Sequence, residues 1–184
     1  MKRNDFTAWL QETAADIGAH SAACIRMDNP MLRQRIAENS VLVETWLKAG
    51  LHGEMDYLER MYPEKADPWK QFPHAKSVIV LTFTNQWGAP EASHPFPEPA
   101  SGALLGYVSA YARETDYHIN GQAMLCRLRD LLGDEITAEA AVDTKAVYER
   151  LFATFGGLGV VGGNDLLRVP GRTNVRVFIG CLFV

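Results

Sequence analysis

Apolar residues recur along this chain at two periods, and the changes of period mark its elements. Phe6, Trp9, Leu10 and Ile17 fall on one helical face, the spacing that buries a stripe against a core. Asn4 or Asp5 is the predicted cap and Gly18 the end of that helix. HSAACIRM (20–27) reads as a short buried strand. Pro30 suits a first helical turn, and Leu32, Ile36, Val43, Trp46 and Leu47 carry a long helix to Gly50. HGEMDYLERM (52–61) predicts a further short helix, and Pro63 to Pro73 an irregular segment. SVIVLTF (77–83) is continuously apolar and β-branched without proline, which predicts a central strand.

The four prolines of GAPEASHPFPEPASG (88–102) predict a surface loop or lid. GYVSAYA (106–112) reads as extended. DYHINGQAMLCRLRDLL (116–132) predicts a helix through Ile119, Met124, Leu125, Leu128 and Leu131; Gly121 weakens its first turn and Gly133 ends it. EITAEAAV (135–142) predicts a strand, TKAVYERLFATF (144–155) a helix, and NVRVFIGCLFV (174–184) a strand through Val175, Val177 and Ile179. This order predicts an α+β fold, an α/β-type sandwich with one central sheet covered by helices, in a single domain over 1–184. The final apolar strand, IGCLFV, carries no polar tail. Such an edge is central, or covered by a partner such as a second copy in a homodimer, or continued by further chain.

Composition narrows the class. At 184 residues, 47% hydrophobic and 22% charged, the chain has the make-up of a soluble globular domain that builds its core without staples. MKRNDFTAWLQETAADIG has no apolar run after its basic start, so no signal peptide is expected, and no stretch is long enough for a membrane span. The 3 cysteines, Cys24, Cys126 and Cys181, form no C-x-x-C, which speaks against a disulfide framework, a zinc site or an iron–sulfur cluster and for a reducing cytoplasm. A net charge of −4 gives no general drive toward nucleic acid, although Arg168, Arg172 and Arg176 form a local basic patch or a solvated strand and turn.

Gly157-Leu158-Gly159-Val160-Val161-Gly162 matches the pattern G-x-G-x-x-G. A dinucleotide site of that pattern must follow a strand and open a helix. Here a helical pattern precedes it and Pro170-Gly171 follows closely, so the glycines read as a helix C-cap and tight turns.

Two clusters carry candidate chemistry. Tyr111, Arg113, Asp116, Tyr117 and His118 offer phenols, a guanidinium, a carboxylate and an imidazole within a short span. They make either a ligand-holding group or a helix N-terminus capped by Asp116. In VDTKAVYER, Asp143 stands where an apolar strand gives way to a helix, with Glu149 and Arg150 about two turns on. Screened from water, Asp143 is a general acid near neutrality; as an N-cap, it stays charged. His52 and Glu54 have no further ligand at metal spacing and read as structural.

Taken together, GLHGEMDYLERM, ADP, AKSVIVLTF, GYVSAYARETDYH and VDTKAVYERLFATFGGLGVVGGNDLL resemble, in order and spacing, the catalytic domain of epoxyqueuosine reductase from about Gly50 onward. The resemblance implies a nitroreductase-like fold that binds cobalamin and reduces the epoxide of epoxyqueuosine in transfer RNA to queuosine. It implies Asp143 as proton donor, from the family's V-D-S-x-P-x-x-E-R motif. Tyr111, Ala112, Asp116, Tyr117 and His118 then line the corrin and substrate side, and Arg150 supports the ligand site. The family's G-L-G-W-x-G-K-[NH] loop corresponds to the segment from Gly157 through Gly159 and Gly162 to Asn164, whose glycines would let backbone approach the corrin. Three positions depart from the family: Val160 replaces a tryptophan, Gly163 a lysine, and Ala146 and Val147 occupy the region of a proline. The family's ferredoxin-like iron–sulfur module is expected to be missing, so electrons would come from an external ferredoxin or iron–sulfur protein. A non-catalytic corrinoid carrier and a flavin-dependent reductase of the same fold are the alternatives.

Overall fold

A computed structural model describes residues 3–84, 115–171 and 177–184. Its elements are α1 Arg3–Asp16, β1 Ser21–Arg26, α2 Pro30–Lys48, α3 Tyr57–Ala66, α4 Pro68–Gln71, β2 Ser77–Thr84, α5 Tyr117–Leu132, β3 Glu139–Ala141, α6 Glu149–Phe155, β4 Val160–Val161, β5 Leu167–Arg168 and β6 Val177–Phe183. β1, β2, β6 and β3 form one sheet in that order, every pair antiparallel, and β4 with β5 forms a small hairpin. The fold is α+β, as the element order predicts.

The pleat of β2 explains its continuous apolar run. Val78 and Val80 join Leu32, Ile36, Phe152 and Phe183 in a core on the α2 and α6 face. Ile79, Leu81 and Phe83 join Leu10, Ala14, Leu125 and Leu128 on the α1 and α5 face. A strand that alternates sides and is apolar on both must be covered on both. The rings of Phe72 and Phe183 stack at 3.7 Å between centroids, with Phe152 edge-on to Phe183 at 5.8 Å.

β6 lies between β2 and β3, so IGCLFV is not an open edge: Cys181 to Phe183 pair with β3 on one side while all of Val177–Phe183 pairs with β2 on the other. The homodimer expected from that edge therefore loses its basis along Cys181–Phe183.

Several boundaries differ from the sequence expectation. α1 begins at Arg3, which puts Asp5 in the first turn rather than at the cap. The helix predicted over 52–61 forms at Tyr57–Ala66, because Gly50 and Gly53 take left-handed φ values of 67° and 60° and hold the intervening residues in turns. The segment from Pro63 to Pro73 is not irregular: Pro63 sits inside α3, and Pro68 opens α4 with Asp67 capping Lys70 N at 3.2 Å. β3 keeps only three residues of the strand predicted over 135–142. α6 starts five residues late, after Asp143 adopts φ 50°. The glycine segment contains β4, a strand the loop reading did not foresee.

The expected lid at 88–102, the extended 106–112 with Tyr111, and Arg113, Arg172, Val175 and Arg176 lie outside the described residues. Among the described residues, no helix is long and apolar enough to cross a membrane.

Candidate functional site

A cleft of about 970 Å³ opens where α2, α3 and α6 face the β4–β5 hairpin and the start of β6. Arg35 and Leu42 line it from α2, Lys65 from α3, Val161 and Asp165 from the hairpin, and Phe178 from β6. Tyr117, Asp143, Glu149 and Arg150 complete one wall.

The two sequence clusters meet there. Asp116 caps α5, its Oδ1 accepting from His118 N at 2.9 Å and lying 2.7 Å from His118 Nδ1. The backbone N–H and then the ring of His118 hold the Asp116 carboxyl below the usual carboxylate range. The cap reading of this cluster therefore holds for Asp116, and Tyr117 is left facing the cleft. The capped turn sends Tyr117 toward Asp143: its hydroxyl donates to Asp143 Oδ2 at 2.7 Å, and its ring stacks between His118 and Phe178 at 4.0 Å from each. Burial, and then the hydrogen bond to Asp143, push the Tyr117 phenol well up. His118 Nε2 lies 4.0 Å from Asp143 Oδ2.

Asp143 is not a helix cap. Tyr148 holds the cap position of α6, and Asp143 stands six residues before the helix. Nor is it screened from water, for its side chain is 65% exposed. Burial reaches Glu149 instead. This half-buried carboxyl is pushed up to about 8 by removal from water, and the nearby charge of Asp143 adds to the rise. Its Oε1 accepts from Asp143 N at 2.6 Å. Lys65 is the complementary case: burial lowers its ammonium, against the pull of Glu149 and Asp143. The sequence marks Glu149 only as a neighbour of Asp143 and does not mark Lys65, because the burial of both depends on α3 packing near α6.

Arg150 turns to the hairpin. Its guanidinium donates to Asp165 O at 3.1 Å and pairs with Asp165 Oδ2 at 2.9 Å. The remaining loop residues serve the turn itself. Gly157 has φ 74° just past α6. A Cβ on Gly159 would strike the carbonyl oxygen of Arg168 across the hairpin, so the close backbone approach predicted there is made by the chain's own strand. A Cβ on Gly162 would sit 2.9 Å from Arg168 Nε, and exposed Asn164 accepts from Leu166 N at 3.4 Å. These four are absent from the cleft lining, whereas Val161, Asp165, Leu166 and Leu167 belong to it. A helix before the loop and a hairpin within it exclude the strand–loop–helix context of a dinucleotide fingerprint. Among the described residues, no three His, Cys, Asp or Glu side chains converge as metal ligands.

A family model described as "Epoxyqueuosine reductase QueG, DUF1730" matches residues 65–145. The epoxyqueuosine reductase of Cellulophaga algicola is 31% identical over 152 residues, covering 81% of this chain and 46% of its own length. An epoxyqueuosine reductase solved with an epoxyqueuosine-modified tRNA-Tyr stem loop superposes with a TM-score of 0.62 at 20% identity, over 97% of this chain and 45% of that one. The Bacillus subtilis epoxyqueuosine reductase, solved with an aspartate catalytic loop swung out of its active site, gives 0.60 at 18% identity, over 98% and 45%. The chain thus spans about half the length of the curated relatives it matches. Sequence kinship over most of the chain and a shared fold over nearly all of it lead to one conclusion: the chain belongs to the epoxyqueuosine reductase family.

Proposed function

We propose that this chain is a single, nitroreductase-like domain that binds cobalamin and takes part in reducing the epoxide of epoxyqueuosine in transfer RNA. The observation that carries the reading is the hydrogen bond from Tyr117 to Asp143 at the wall of the cleft. Deoxygenating an epoxide to an alkene consumes two electrons and two protons and releases water. Asp143, exposed to the cleft, relays a proton to the epoxide oxygen, while the Tyr117 hydroxyl, donating to its Oδ2, fixes the direction of that carboxyl. The aspartate catalytic loop of the Bacillus subtilis relative supports an aspartate in this role.

The cleft suits a large ring ligand. Its volume is at the upper end for ligand pockets, and its walls set Leu42, Val161 and Phe178 beside Arg35, Lys65 and Arg150. The apolar residues would pack on a corrin face and the cations would meet its polar side chains. When bound, cobalamin supplies the reducing power for opening the epoxide. Electrons come from an iron–sulfur protein or module, and the modified transfer RNA is the partner, in the cytoplasm. His118 stacks on Tyr117 beside this site, and Gly157, Gly159, Gly162 and Asn164 shape the hairpin that carries Val161 and Asp165 into its lining.

A second reading, a corrinoid carrier without turnover, draws on Val160 and Gly163 standing where the family pattern has tryptophan and lysine. One anaerobic experiment separates the two. The chain is mixed with cob(II)alamin, desalted and examined by absorption, then supplied with a chemical reductant and epoxyqueuosine-containing transfer RNA. Retained, base-off cobalamin with turnover that falls about a hundredfold in Asp143→Asn supports the enzyme. Retained colour without turnover supports the carrier. Colour that passes through the column, with a flavin retained instead, overturns both.

A further inference from the structure

Asp143 and Asp165 are the two described non-glycine residues with left-handed backbone, at φ 50° and 61°. Both line the cleft, from different loops. Each strained turn is held by one of two consecutive residues of α6: Glu149 Oε1 takes the backbone N–H of Asp143 at 2.6 Å, and Arg150 takes both the carbonyl and the carboxylate of Asp165. Left-handed backbone at an aspartate persists only where its surroundings over-determine it.

We propose that Glu149 and Arg150 are positioning residues, a two-armed clamp that fixes the Asp143 loop and the β4–β5 hairpin at a set separation across the cleft. Helix α6 is a sound base for it, because Phe152 and Ala153 are buried against the sheet. The clamp thus refers both walls of the site to one rigid element. Glu149 acts as an acceptor at fixed reach: a carboxyl or a carboxamide serves equally, and a shorter side chain does not. The consequence for turnover rests on the role proposed above for Asp143; the clamp itself does not.

Amide hydrogen exchange on the full chain, read residue by residue by NMR, tests it. In Glu149→Ala and in Glu149→Asp, which keeps the carboxyl but withdraws the acceptor, the Asp143 amide should exchange about tenfold faster, the loss expected for one such bond. In Glu149→Gln its rate should stay within about twofold of the parent. In Arg150→Gln the acceleration should move to the amides of Gly162 and Asp165, which close the hairpin turn. The amides of Val80 and Cys181 in the central strands report that each variant is folded. Unchanged exchange at Asp143 in a folded Glu149→Ala or Glu149→Asp variant overturns the proposal. If instead the exchange behaves as stated and no variant or parent reduces epoxyqueuosine, the clamp stands and the assigned reaction falls.

Discussion

The hydroxyl of Tyr117, in the first turn of α5, donates to Asp143 Oδ2 at 2.7 Å across the loop that leads out of β3. The ring also stacks on Phe178 of β6, so ring and hydroxyl have separable tasks. Tyr117→Phe keeps the stack and removes the donor. If the proposed reduction is this chain's reaction, its rate should fall about tenfold or more, as for loss of a hydrogen bond to a charged group, while the thermal midpoint stays near that of the parent. A large drop in melting temperature would assign the hydroxyl to stability instead.

Glu149 makes stability depend on pH in the direction opposite to a salt-bridged acid. Its proton is held more tightly in the folded chain, to about 8, than at the ordinary value of 4.5. Between those values the folded state binds more protons, so stability falls as pH rises and the loss is complete above about pH 8. Asp143, Lys65 and Arg150 are the charged groups around it, with the buried Cys181 thiol also within its field. Glu149→Gln removes the titration. Urea unfolding should show a stability gain that grows from pH 5 to pH 8 and reaches about 2 kcal/mol, less than the full shift implies because the carboxyl keeps some contact with water. A gain independent of pH would refute the assignment.

Gly121 lies one turn after Tyr117 on α5 and is buried. A Cβ there would come within 2.5 Å of Phe83 Cζ and 2.9 Å of Val142 Cγ1, and both of those residues are only 1% exposed. Alanine is the better helix former by about 1 kcal/mol, yet crowding a packed interior costs about 1–3 kcal/mol. Gly121→Ala should therefore lower the melting temperature, and it should weaken the Tyr117–Asp143 contact by lifting α5 from the sheet. A stabilised variant would show that this interface yields.

The apolar periods located α1, α2 and α5 and the central strand β2, because each buries a regular stripe or both faces of a pleat. Residue types also located Asp143 and Tyr117. They did not show that the two touch, since that contact depends on β3 stopping at Ala141 and on the Asp143 turn. Glu149 is legible as a neighbour of Asp143, but its burial is not: a helical glutamate reads as solvated until α3 brings Lys65 toward the same cleft. The glycine pattern misled in one respect. Gly159 is needed for the approach of Arg168 within a hairpin, which a one-dimensional pattern does not distinguish from the approach of a ligand.

The strand order β1-β2-β6-β3 also constrains how the polypeptide is made. β2 finds one partner, β1, upstream in the chain, but its other edge is completed by β6, far downstream. Until then Val78 to Phe83 present an apolar strand with unpaired backbone groups, and distant pairing of this kind is slow. Helices α1 and α2 cover the faces of that strand sooner than any partner covers its edge. Chains halted before Val177 therefore leave that edge of β2 open to intermolecular β-pairing.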